Sequence, residues 1–157
     1  MGIFTWLESS QLASWVGISL WGYPISLTAH SIGMAIMVGI VAIIDLRVAG
    51  FFSSISLSSL RTALKFAWLG FIVNLISGFA LFTVQASYFV GHTAFLVKVG
   101  AIVLAVINAV ILQKMLTANS ADWDGGLAIP SKAKKLAITS LLLWLIAVIA
   151  GRLIAYV

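Results

Sequence analysis

The chain has 157 residues, 62% of them hydrophobic and only 8% charged, with a mean hydropathy of +1.18. Soluble domains carry about 25% charged residues, so this composition excludes an ordinary soluble domain and points to one integral membrane domain. The absence of cysteine excludes disulfides, iron–sulfur clusters and thiolate metal sites; the net charge of +5 comes from scattered residues, with no basic run able to follow a nucleic-acid backbone.

The N-terminal stretch "MGIFTWLESSQLASW" is not expected to be a secretory leader, because it has no Lys or Arg and its only charge is Glu8. Phe4, Trp6, Leu7, Leu12, Trp15 and Trp21 are interspersed with Ser, Gln and Glu. That pattern predicts an amphipathic helix lying in the headgroup region, where aromatic rings are favoured. A spanning helix needs about 20 mostly apolar residues. Four stretches meet that requirement, at about 24–44, 63–84, 94–116 and 136–157. Pro24 suits a first turn, where its missing N–H costs no hydrogen bond. "GFFSSISLSS" (50–59) reads as a linker partly in the interface, and "ANSADWDGGLAIPS" (118–131), dense in turn residues, as the clearest loop. The predicted fold is therefore an all-α four-helix transmembrane bundle with an N-terminal interfacial helix, built as a single domain without internal repeats.

Lys and Arg positions orient the bundle. Arg47, Arg61 and Lys65 flank the first loop, and Lys114, Lys132, Lys134 and Lys135 flank the third; the opposite side has only Lys98 and Arg152. Seven against two places the first and third loops in the cytoplasm and both termini outward, which in a bacterial inner membrane is the periplasm.

Given that orientation, polar residues from all four spans converge on the outer half. His30 lies six residues into the first span, about 9 Å below its outer end. Gln85 ends the second span, His92 lies in the short second loop, Lys98 opens the third span, and Arg152 with Tyr156 closes the fourth. At 100° per residue, Tyr23, Ser26, His30, Gly33, Met34, Met37 and Val41 share a stripe. So do Asn74, Gly78, Leu81 and Gln85, and, on the fourth span, Leu145, Arg152 and Tyr156. Such polar and small stripes are expected to face the bundle interior, as is Asn108 on the third span. Asp45 and Arg47 are expected to be solvated at the cytoplasmic end.

Three readings of His30 stay open. It is a neutral imidazole hydrogen-bonded to Gln85, Tyr156 or a backbone carbonyl; or an axial ligand of haem b, with His92 or no residue opposite it; or part of a copper site with Met34, Met37 and His92. In the haem reading Gly33 leaves room for a flat macrocycle, and Lys98, Arg152 and Tyr156 meet the propionates. Cations at one depth without an intramembrane acid imply an anionic guest, such as haem or an anionic lipid, or water, or deprotonation. No paired carboxylate, nucleophile–base pair, phosphate loop or HExxH motif is present. If the chain is an enzyme, a haem-dependent oxidoreductase is the class these residues allow. The alternative is a non-catalytic subunit that packs in a larger membrane complex or a homo-oligomer, or binds lipid there.

"AHSIGMAIMVGIVAIIDLRVAG", "HTAFLVKVGAIVLAVINAVIL" and "AGRLIAYV" resemble a group of small uncharacterised bacterial four-helix membrane proteins. A histidine in one span and F-x-x-K opening another, here His30, Phe95 and Lys98, more distantly resemble the copper-resistance D membrane domain and the HemJ-type protoporphyrinogen oxidase. The resemblance implies a four-helix architecture and functional positions for His30, Lys98 and Arg152. It implies haem b by the second likeness and copper handling by the first.

Overall fold

The computed structural model describes residues 2–156, and among them there are only helices and connections, no strand. The helices are α1 (Ile3–Glu8), α2 (Gln11–Ile18), α3 (Gly22–Ala49), α4 (Leu57–Thr83), α5 (Ala86–Gly91), α6 (Thr93–Asp124) and α7 (Ser131–Leu153). Four of these, α3, α4, α6 and α7, are long and apolar enough to cross a membrane. The chain is thus an all-α, four-helix membrane bundle.

The N-terminal segment is divided into two short helices rather than one. The Ser10 hydroxyl accepts from the Ala13 N–H at 3.1 Å and caps a new helix, so the first cannot run on. Ala13 and Val16 are buried, whereas Trp6, Trp15 and Trp21 are exposed, as an interfacial segment requires.

The long helices form a ring in which α3 packs on α4 and α7, and α6 on α7 and α4. Lipid is as apolar as a leucine side chain, so close backbone approach must supply much of the packing. At the α3–α4 crossing a Cβ on Gly33 would lie 2.7 Å from the Gly70 carbonyl oxygen, and one on Gly70 would lie 2.8 Å from that of Gly33. Only two glycines allow this contact. On α7 the inward face is Ala133, Ala137, Ser140, Ala147 and Ala150, a small-residue stripe at helical spacing interrupted by Trp144. This corrects the expectation for the fourth span: Leu145, Arg152 and Tyr156 are exposed and lie on the outer face. Small residues took the interior because α7 must approach α6 closely.

All four long helices overrun their predicted spans at the end of the bundle that carries most of the basic residues. α6 continues to Asp124 and absorbs half of the predicted loop, leaving the 125–130 connection. Tertiary contacts override the turn-rich composition: Ser120 and Trp123 are buried, and the Asp124 carboxylate caps α4. Its Oδ1 accepts from Leu57 N–H at 2.8 Å, and its Oδ2 from Ser58 N–H at 3.0 Å and the Ser56 hydroxyl at 2.9 Å. Arg47 donates from Nε to the Ile55 carbonyl at 2.7 Å and places Nη2 3.7 Å from Asp124 Oδ1. Asp45 and Arg47 are only 1% and 8% exposed, so neither is the solvated interfacial residue expected. Asn108 is interior, as expected, and donates to the Leu136 carbonyl at 2.9 Å.

Candidate functional site

His30 lies on α3 eight residues past Gly22, about 12 Å along the helix from the end that carries α1, α2 and α5. It faces α4 through a reciprocal pair of hydrogen bonds. Its Nδ1 is 3.0 Å from the Asn74 carbonyl oxygen, and the Asn74 amide donates to the His30 carbonyl at 2.7 Å. A carbonyl only accepts, so Nδ1 carries the hydrogen; in the neutral ring Nε2 therefore keeps a free lone pair. Ser77 Oγ, 3.4 Å from Nδ1, donates its own hydrogen to the Val73 carbonyl at 2.6 Å and leaves that tautomer undisturbed. The ring fits because residue 78 is glycine: a Cβ there would lie 2.9 Å from His30 Cε1 and 3.1 Å from Nδ1.

Lys98, from the first turns of α6, approaches the same place. Its Cδ, Cε and Nζ would each lie 3.3 Å from a Cβ on Gly151, so the lysine stem lies across the glycine face of α7. Among the described residues Lys98 makes no hydrogen bond or ion pair. Glu8, the one acid at this end, is occupied elsewhere: its Oε1 accepts from Ser87 N–H at 2.8 Å in the first turn of α5.

Two clefts meet at this His–Lys pair. One, of about 410 Å³, opens toward the α5 end past Tyr23, Gln85 and Phe89. The other, of about 330 Å³, runs sideways between α4 and α6 past Leu75, Phe79 and Val99, which are exposed on the outer surface of the bundle. His30, Gly78, Phe82, Phe95 and Lys98 line both. Phe82 and Phe95 stack at 5.4 Å between centroids, and Phe89 stacks on Phe95 at 5.4 Å. The shared wall is therefore aromatic, and its only ionisable groups are the imidazole and the ammonium.

Of the candidate ligand residues, the structure brings His30, Gln85 and Lys98 to these clefts, beside Tyr23, Asn74, Gly78, Leu81 and Phe95 of the predicted stripes and motif. It separates the others from them. His92 sits at the α5–α6 corner, packed 5.2 Å from the Tyr88 ring, and lines neither cleft. Met34, half-buried one turn further along α3, lines neither. Arg152 extends over the exposed Tyr156 ring, 5.9 Å from its centroid, on the outer face of α7. Gly151, next to that arginine, is the α7 residue that reaches the site, and sequence reasoning passed over it. Its phase, four residues after Ala147 in the small stripe, was the available signal. Among the described residues no group of three His, Asp or Glu side chains could hold a metal ion on its own.

No protein-family model, curated protein or solved structure matches this chain.

Proposed function

We propose that this protein binds haem b at His30 and serves as a small redox or electron-transfer component of a bacterial inner membrane. The observation that carries this reading is the imidazole itself. Its Nδ1–H is committed to the Asn74 carbonyl, which fixes the ring and leaves the Nε2 lone pair, the arrangement that a protein gives to a metal-bound histidine. The donor set fits the group: one neutral imidazole, an ammonium without a protein partner, and an aromatic wall beside two joined clefts. Bound there, haem b supplies one-electron exchange. His30 would hold the iron and Lys98 would meet a propionate, while Gly78 and Gly151 make room for the His30 ring and the Lys98 stem and Phe82 with Phe95 would keep water from the interior face. Arg152 and Tyr156, on the outer face of α7, are assigned no contact with the ligand, and His92 is not assigned as the second axial ligand.

The distribution of Lys and Arg supports an orientation with the α5 end outward and the basic end in the cytoplasm. The site then lies in the periplasmic half.

An absorption spectrum of the full chain, expressed with haem supply and purified in detergent, tests the proposal. The expected result is a Soret band that shifts on reduction, is lost in His30→Ala and is retained in His92→Ala. A colourless wild-type protein overturns it. A second reading rests on the sideways cleft, whose mouth between α4 and α6 faces the membrane: Lys98 there pairs with the headgroup of an anionic lipid. Native mass spectrometry that finds a bound anionic lipid, lost in Lys98→Met, on a colourless protein favours that reading.

A further inference from the structure

Asp45, near the other end of α3, stands apart from the His30 site and has no part in the function proposed above. It is 1% exposed, and its Oδ2 is buried without any hydrogen-bond partner. The Ser140 side chain, from α7, lines the same small void as the carboxyl.

The void beside Asp45 measures about 20 Å³. That is room for one water, which needs at least about 10–15 Å³. The groups facing it come from every neighbouring helix: Val41 and Ile44 of α3, Leu64 of α4, Leu112 and Gln113 of α6, and Ser140 of α7. None is charged. Arg47, two residues on, is turned to the Ile55 carbonyl and Asp124, while Lys65 and Lys114 are exposed on the outer surface. Gln113 already accepts from the Trp68 indole at 2.9 Å. Two or three oxygens are too few for a dehydrated metal cation, which takes about six. The neighbouring void, of about 40 Å³, shares Val41, Leu64 and Gln113 with the first and is bordered by Trp144, whose indole N–H is also buried without a partner. An orphan acceptor and an orphan donor thus border adjoining water-sized spaces inside the bundle.

We propose that Asp45 is an internal proton-binding site. A proton taken up through the basic end resides on Oδ2 as an O–H that donates to one water in the void, while Oδ1 accepts from Ser140. The reverse transfer returns the proton to the same water and leaves the carboxylate. Burial without a cation makes the neutral acid the form that the surroundings accommodate.

Infrared spectroscopy of the full chain in lipid nanodiscs at neutral pH is a direct test, because the chain has only four Asp and Glu residues and the other three, Glu8, Asp122 and Asp124, lie at the ends of the bundle. The expected result is a carboxylic-acid C=O band that shifts in D2O, disappears in Asp45→Asn and persists in Asp124→Asn. Ser140→Ala keeps the band and moves it to higher frequency, which tests the pairing even where Asp45→Asn fails to fold. A wild-type spectrum with carboxylate bands alone overturns the proposal. So does an acid band that survives Asp45→Asn, or one that Ser140→Ala does not move.

Discussion

His30 and Asn74 each use one group for the other's backbone, so the α3–α4 contact fixes ring orientation and helix register together. Two changes separate these effects. Asn74→Leu removes the amide donor to the His30 carbonyl but keeps its own carbonyl, so the imidazole tautomer persists. The expected cost is about 0.5–2 kcal/mol, the range of interhelical hydrogen bonds in membranes, read from unfolding in mixed detergent. Gly78→Ala puts a methyl 2.9 Å from a ring that cannot retreat without giving up the Asn74 bond. Its expected effect is weaker or absent haem binding with the bundle still folded, checked by the Soret band against circular dichroism. These positions were legible in the sequence because a histidine, two glycines and an asparagine at helical spacing stand out in apolar spans. Arg152 and Tyr156 share a helical phase and carry polar groups, but polarity near a helix end does not by itself specify an interior face. The interior face of α7 carries only small residues beside Trp144, and a cation near a helix end reaches the membrane surface just as well.

Among the elements, spans were easier to read than their ends. Four apolar stretches announce four helices, but nothing local in "ANSADWD" announces that it extends α6. That extension depends on Trp123 finding the core made by Val48, Leu57 and Leu116, and on Asp124 finding the unpaired N–H groups of α4. Both are distant in sequence. Asp124→Ala is expected to cost about 0.5–2 kcal/mol, as for loss of a helix N-cap, and to speed amide exchange at Leu57 and Ser58 while leaving α7 unchanged. The Gly33–Gly70 contact is less tolerant. Gly33→Leu pushes a side chain into the Gly70 carbonyl, so α3 and α4 must separate, and loss of a single folded species on size exclusion is the expected outcome.

For the whole molecule, the asymmetry of basic residues predicts an orientation that single cysteines check cleanly, since the chain has none of its own. Gly91→Cys and Ala128→Cys are exposed at opposite ends, and Gly91 has open space around it. A membrane-impermeant thiol reagent added to intact cells should label the first and spare the second; the reverse pattern inverts the topology. The ring arrangement of the helices was not legible, because hydropathy counts spans without saying which ones touch. The trans cap on α4 also has a temporal side. As the chain leaves the ribosome, α3 and α4 are complete and able to pair through Gly33 and Gly70 while the first turn of α4 still lacks its acceptor. Asp124 follows Leu57 by 67 residues, so it arrives only after α6 has been made. The cap on α4 therefore closes only after α6 has been made, and a nascent chain stalled before Asp124 presents an open α4 terminus.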